Sequence, residues 1–384
     1  MSAPATIAAP APRRRNAYID VLRGLSIFGV VCIHFAGSFV TTDTFAWSPS
    51  FHLGLALNQV FSFAVPLFVF MSGYLAGASE KPQALGDYYR ARLWRIGLPY
   101  LIVSILSFFL LNHYQQWSAQ PGLSGRLNWL WQHLLFFGVE PTLYFIPLIL
   151  QLYLVQPLLK ALPGWLNRLV PAVRTEFLVL GLAGLLLALH VTLGVLCDRG
   201  SLNYYVWGRP NPLFWMFYFF LGLHYRALAG LLPRRALLIV AVLGLVVAAC
   251  AMTMNSLTLL DRTAMGASFQ FNRLDFAYAR PVMITYDLAA VLALAAGIAL
   301  GWAPRGGVLA YLGRFTLEIY LWHILVLYFG VWRFPSATGA CRDLPELIVI
   351  ICAGATLLIA GATDVLQRAL RFARGHRLAV VPVP

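Results

Sequence analysis

Charge is what this sequence has least of. Only 11% of its 384 residues are Asp, Glu, Lys or Arg, whereas 60% are hydrophobic and the mean hydropathy is +0.75. Soluble globular chains average roughly 25% charged residues. The shortage excludes an ordinary soluble domain and fits a polytopic membrane protein, in which runs of about 20 apolar residues span the bilayer. Acidic residues are scarcer still, with 14 against 28 basic ones and a formal charge of +14. Such an excess fits a nucleic-acid partner when it forms one basic stripe. Here the basic residues, all but two of them arginine, are scattered in short segments between apolar runs, so no nucleic-acid partner is read. The five cysteines (Cys32, Cys197, Cys250, Cys341, Cys352) include no CxxC pair and no metal-ligand spacing, so no metal site is read either. Most sit in apolar runs as small buried hydrophobes; Cys197 and Cys341 both fall toward the outer face, which leaves a disulfide between them open. A second soluble domain is also missing: the longest outer loop, about residues 255–280, is too short to fold alone. No internal repeat of the transporter kind is present.

What is present is a succession of apolar runs. They predict an all-α, polytopic membrane bundle of about ten transmembrane helices, near residues 18–40, 51–76, 94–113, 143–160, 176–197, 211–229, 236–254, 281–301, 310–331 and 346–367. The tryptophan-rich stretch 126–138 is too short to span and is assigned to the outer interface. Residues 1–16, Ala/Pro-rich and then basic, read as a disordered cytoplasmic tail, 17–369 as one transmembrane domain and 370–384 as a second cytoplasmic tail. With the N-terminus inside, 19 of the 28 basic residues fall in cytoplasmic segments and 8 in outer ones, with Arg23 within the first helix. The positive-inside rule then places both termini in the cytoplasm, which an even number of spans requires.

Against this apolar background a few polar residues stand out. Arg23 and His34, in RGLSIFGVVCIH, are eleven positions apart. On an α-helix that is three turns plus about 20°, so both point to one face about 16 Å apart along the axis. Asp20, three residues before Arg23, shares the stripe. Intramembrane charges are costly and usually face a bundle interior or a water-filled cavity. A plain structural reading stays open for each: an Asp20–Arg23 pair anchoring the helix end, and a hydrogen-bonded core histidine at His34. The second run ends VPLFVFMSGYLAG, where Pro66 can kink the helix and Ser72-Gly73 admits either a ligand or a neighbouring backbone. Arg92 and Arg95, three apart, serve equally as topology anchors and as bidentate phosphate binders. In GRFTLEIYLWH, Thr316, Tyr320 and His323 form one polar stripe, with Glu318 off it. Glu318 and Asp287 need partners that spacing does not identify.

These segments resemble the acyltransferase 3 family of bacterial inner-membrane acyltransferases. The likeness is carried in order by YIDVLRGLSIFGVVCIH, by VPLFVFMSGYL followed by RARLWRIGLPY, by LYFIPLILQLYLVQPLL and by LGRFTLEIYLWH, together spanning about residues 18–323. Two departures are visible: Leu143-Tyr144-Phe145 stands where many relatives have Trp-Phe-Leu, and Thr316 replaces a commoner serine while keeping the hydroxyl. The resemblance implies about ten helices, no bound cofactor, and acyl transfer, most often of acetyl from acetyl-CoA, to a hydroxyl of an extracytoplasmic glycan. The acceptor would be an exopolysaccharide, O-antigen, periplasmic glucan or lipid-linked saccharide, with polysaccharide synthesis proteins as further partners. On that basis Asp20, Arg23, Arg92 and Arg95 would bind the donor. His34 would be the general base, and Ser72, Tyr320 or His323 would supply donors to the developing oxyanion. The competing class is a transporter or flippase for a glycolipid or small anion, in which the same residues would form a proton or substrate relay.

Overall fold

The computed structural model describes residues 17–40, 48–78, 84–264, 277–304 and 307–379. The tail expected over residues 1–16 and much of the outer loop at 255–280 lie outside them. Among the described residues there is no strand and most are helical, as expected. In chain order the principal helices are α1 (Ala17–Val40), α2 (Pro49–Val60), α3 (Ala64–Gly77), α4 (Leu85–Arg92), α5 (Leu98–Leu110), the short α6 (His113–Ser118) and α7 (Gly122–Gln132), α8 (Phe145–Leu169) and α9 (Thr175–Asp198). They continue with α10 (Pro212–Leu223), α11 (Arg234–Ala264), α12 (Pro281–Ala299), α13 (Thr316–Leu327), α14 (Pro335–Asp343) and α15 (Glu346–Ala379).

Eight helical units among the described residues are long and apolar enough to cross a membrane. A ninth is α13 with its extension to Trp332, bent by 85° onto α14. The remaining expected span, over 211–229, differs. Its apolar helix α10 has only 12 residues, about 18 Å at 1.5 Å per residue against a hydrocarbon core of about 30 Å. It breaks at His224, whose backbone leaves the helical region, and a short helix over Tyr225–Ala229 follows at once. Nearly every side chain from Phe214 to Leu223 is buried, so the helix is sheathed by its neighbours.

Burial separates an inner group from an outer one. The central windows of α1, of the α2–α3 unit and of α12 are each 67% buried, whereas those of α4–α5 and α11 are 22% buried. The outer helices present leucine, isoleucine and valine outward, as at Leu238, Ile239, Val242 and Leu243, which is the surface a lipid environment accepts. Close packing at the centre depends on glycine. A Cβ on Gly73 would collide with the carbonyl oxygen of Phe219, and one on Gly222 with that of Phe70, so α3 and α10 touch backbone to backbone. A 3-10 turn over Phe61–Phe63 joins α2 to α3, and Pro66 sits in the first turn of α3, where a missing N–H costs nothing. All five cysteines are free. Asp287 finds the partner that sequence spacing did not identify: buried on α12, its Oδ1 accepts a 2.7 Å hydrogen bond from Ser62.

Candidate functional site

The unbroken α1 carries the expected stripe, and α13 carries the second one alongside it. At one end Arg23 Nη2 donates to Thr316 Oγ1 at 2.6 Å. At the other, the rings of His34 and His323 lie 5.2 Å apart between centroids. Since Arg23 precedes His34 and Thr316 precedes His323, the two helices run parallel, with their polar faces toward each other. Each end opens into its own cavity.

The cavity at the arginine end has a volume of about 520 Å³. Arg23, Ser72, Arg92, Arg95, Thr316 and Tyr320 line it, all of them singled out in the sequence, together with Arg314, Glu318 and Tyr153. Four guanidinium groups against one carboxylate make it strongly anion-attracting. Arg92 is oriented by its own neighbourhood: its guanidinium lies 3.4 Å from the Tyr88 ring centroid and 4.8 Å from that of Tyr153, and Nη1 donates to the Tyr88 carbonyl at 3.2 Å. Arg95 lies on a π-turn, Leu93–Gly97, between α4 and α5; such insertions re-aim side chains and recur at functional sites. Asp20 is not among the lining residues. It is 7% exposed, and its Oδ1 stands 4.0 Å from Arg23 Nη1. It thus belongs to the packing that holds Arg23 rather than to the cavity wall. At the Ser72-Gly73 pair, the two alternatives divide between adjacent residues: Gly73 admits the α10 backbone, and Ser72 faces the cavity.

The cavity at the histidine end is smaller, about 260 Å³, and His34, His113, Glu140, Thr142, Tyr328 and Trp332 contribute to its wall. His113 Nε2 and Glu140 Oε2 are 2.8 Å apart. Two residues with positive φ bring this pair together. Asn112 (φ 62°) turns the chain into α6 immediately before His113, and Gly138 (φ 77°) turns it two residues before Glu140. Asparagine and glycine are the residues that accept the left-handed region most readily. Tyr328 and Trp332 lie on another π-turn, at the end of α13. Arg209, from the loop before α10, reaches toward the same end. Its Nη2 donates to the Pro141 carbonyl at 3.0 Å, its guanidinium sits 4.4 Å from the Tyr144 ring, and it acts electrostatically on His34.

Tyr320 stands between the two cavities. Its side chain lines the larger one, its hydroxyl donates to the carbonyl of Thr142, and Thr142 lines the smaller one. Its own carbonyl accepts from His323 Nδ1 at 2.6 Å. Sequence spacing had pointed to neither His113, Glu140, Trp332 nor Arg209, which come from loops and turns without a periodic signal. Arg314, two residues before Thr316 in the GRFTLEIYLWH segment, lies in the turn ahead of α13 and reads from sequence only as a cytoplasmic basic residue. Among the described residues no group of three or more His, Cys, Asp or Glu side chains is placed to hold a metal ion.

Apolar spans around a buried, charged seam, with a cationic cavity at one end and a histidine-lined cavity at the other, define an integral-membrane protein with an internal polar site. The comparison with protein families agrees with the sequence motifs: residues 16–363 match the acyltransferase domain of the acyltransferase 3 family, and the chain belongs to that family. No curated protein and no solved structure matches it. Membership makes the protein a membrane acyltransferase.

Proposed function

We propose that the protein is an O-acyltransferase of the bacterial inner membrane. It takes an acyl group, acetyl by preference, from cytoplasmic acyl-CoA and places it on a hydroxyl of an extracytoplasmic glycan. The observation that carries this reading is the pairing of the two cavities on one face of α1: four arginines at one end and His34 at the other, about 16 Å along the helix. The phosphates of acyl-CoA suit the arginine cavity, where guanidinium groups make bidentate contacts. The helix offset is of the same order as the extended pantetheine arm, which would carry the thioester past Tyr320 toward His34. Both termini would then lie in the cytoplasm, in keeping with the distribution of arginine.

In the proposed reaction the acceptor oxygen attacks the thioester carbonyl carbon while His34 takes the hydroxyl proton. The tetrahedral adduct collapses by breaking the carbon–sulfur bond, and the departing thiolate takes the proton back from the imidazolium. Histidine suits a shuttle of this kind because its ordinary pKa is near neutrality. The oxyanion donors named from sequence are already engaged: the Tyr320 hydroxyl with Thr142, and His323 Nδ1 with Tyr320. Ser72 opens onto the other cavity. Arg209 is the cation at the histidine end and the better partner for the developing negative charge. The test is His34→Ala in purified protein. Acetyl-CoA should bind within about twofold of wild type, while acyl transfer falls by about 100-fold or more, in the range general-base loss gives. Undiminished turnover removes His34 from the chemistry.

A further inference from the structure

His323 is fully buried, and its Nε2 has no hydrogen-bond partner among the described residues. Buried polar atoms are nearly always paired, so an orphan beside a candidate reaction centre calls for a function. Its protonation pattern follows from its other nitrogen. Nδ1 is 2.6 Å from the Tyr320 carbonyl oxygen, which can only accept, so Nδ1 carries the hydrogen. In the neutral ring Nε2 is therefore an acceptor, and it cannot be the oxyanion donor that the sequence pattern proposed. The nearest ring is that of His34, with centroids 5.2 Å apart and planes inclined by 30°. Two imidazoles joined by one N–H···N bond of about 2.9 Å have centroids about 5 Å apart. No such bond is closed as the rings stand, and forming one requires the half-buried His34 side chain to rotate.

We infer that His323 is a positioning residue whose Nε2 accepts a hydrogen bond from one ring nitrogen of His34, fixing the tautomer in which the other nitrogen faces the smaller cavity as a base. The inference rests on the reading of His34 as general base. Of the other polar groups at this end, Arg209 only donates, Glu140 already pairs with His113 at 2.8 Å and the Tyr320 hydroxyl already donates to Thr142, whereas His323 Nε2 is a buried acceptor left without a partner among the described residues. The arrangement is a neutral counterpart of the carboxylate that orients a catalytic imidazole, where loss of the correct tautomer costs up to about 10⁴ in rate.

Two substitutions separate this role from a merely structural one. In His323→Asn the amide lies close to the Nδ1 position, so the bond to Tyr320 is kept and the Nε2 acceptor is lost. In His323→Gln the carbonyl oxygen reaches the Nε2 position, so the acceptor is kept and the Tyr320 bond is lost. Both full-length variants would be purified in detergent and compared for thermal midpoint, for thiol release from acetyl-CoA with methyl glucoside as acceptor, and for the ¹⁵N spectrum of labelled histidine. The His34 signal is the one missing in His34→Ala. His323→Asn should lose at least about 10-fold in kcat with KM for acetyl-CoA unchanged, as removal of an orienting partner does, and its His34 should show mixed tautomers. His323→Gln should be the less damaged enzyme and keep one His34 tautomer. The reverse ranking, with Gln worse than Asn in both stability and turnover, overturns the inference. Absence of thiol release by the wild type would remove the acyl-CoA reading alone. The ¹⁵N spectra then decide: unchanged His34 tautomers in His323→Asn overturn the positioning role.

Discussion

Arg23 is held from two sides, by Asp20 on its own helix and by Thr316 on α13, and still opens onto the larger cavity. A cation fixed in this way loses little rotamer freedom when an anion arrives, which is why such a group binds phosphate better than a free surface arginine. Arg314 shares the cavity without having been assigned to donor binding from sequence. Arg23→Ala and Arg314→Ala should each weaken acetyl-CoA binding by about 10-fold, from loss of a charge-assisted hydrogen bond in a partly solvated site. Arg209→Ala should leave the dissociation constant in place. Isothermal titration on the purified protein checks all three; an unchanged constant for both Arg23→Ala and Arg314→Ala removes the phosphate-binding role. The arginine cavity was legible in the sequence because its residues lie on continuous helices or one turn from them, where spacing fixes direction. The His113–Glu140 pair was not. Its two halves lie 27 residues apart, and each is steered by a left-handed residue, Asn112 and Gly138, whose effect on the chain path no periodicity records.

The helices themselves were mostly visible as apolar runs, because a bilayer core demands length and hydrophobicity before anything else. What the runs did not disclose is where they break. Tyr328–Trp332 reads as more of the same apolar helix, yet forms a π-turn that sets Tyr328 and Trp332 on the smaller cavity, and α14 then departs at 85°. The run at 211–229 reads as one span and is helical in two pieces, the sheathed α10 and a short turn over Tyr225–Ala229, broken at His224. Helix contact is likewise decided by single residues. Gly222→Leu should lower the thermal midpoint markedly and reduce the folded yield, since its side chain would meet the Phe70 carbonyl and the Tyr74 amide on α3. Gly181→Ala on α9, where nothing lies within 4 Å of the new Cβ, should leave stability unchanged or slightly raised. Thermal denaturation in detergent distinguishes the pair, and equal effects of the two substitutions contradict the close crossing of α3 and α10.

Taken whole, the molecule places a cationic cavity and a histidine-lined cavity on the seam between two parallel helices, with Tyr320 and Thr142 between them. An arrangement of this kind has a use when donor and acceptor are on opposite sides of a membrane, because neither then has to cross. The most direct test uses unidirectionally reconstituted liposomes, with acetyl-labelled acetyl-CoA supplied on the arginine side and methyl glucoside trapped on the histidine side. Acetyl ester should accumulate with the glucoside while free CoA appears on the donor side, and His34→Ala should abolish both. Ester formed only where acetyl-CoA and acceptor share one compartment, or ester formed equally by His34→Ala, contradicts a transfer route running from Arg23 to His34.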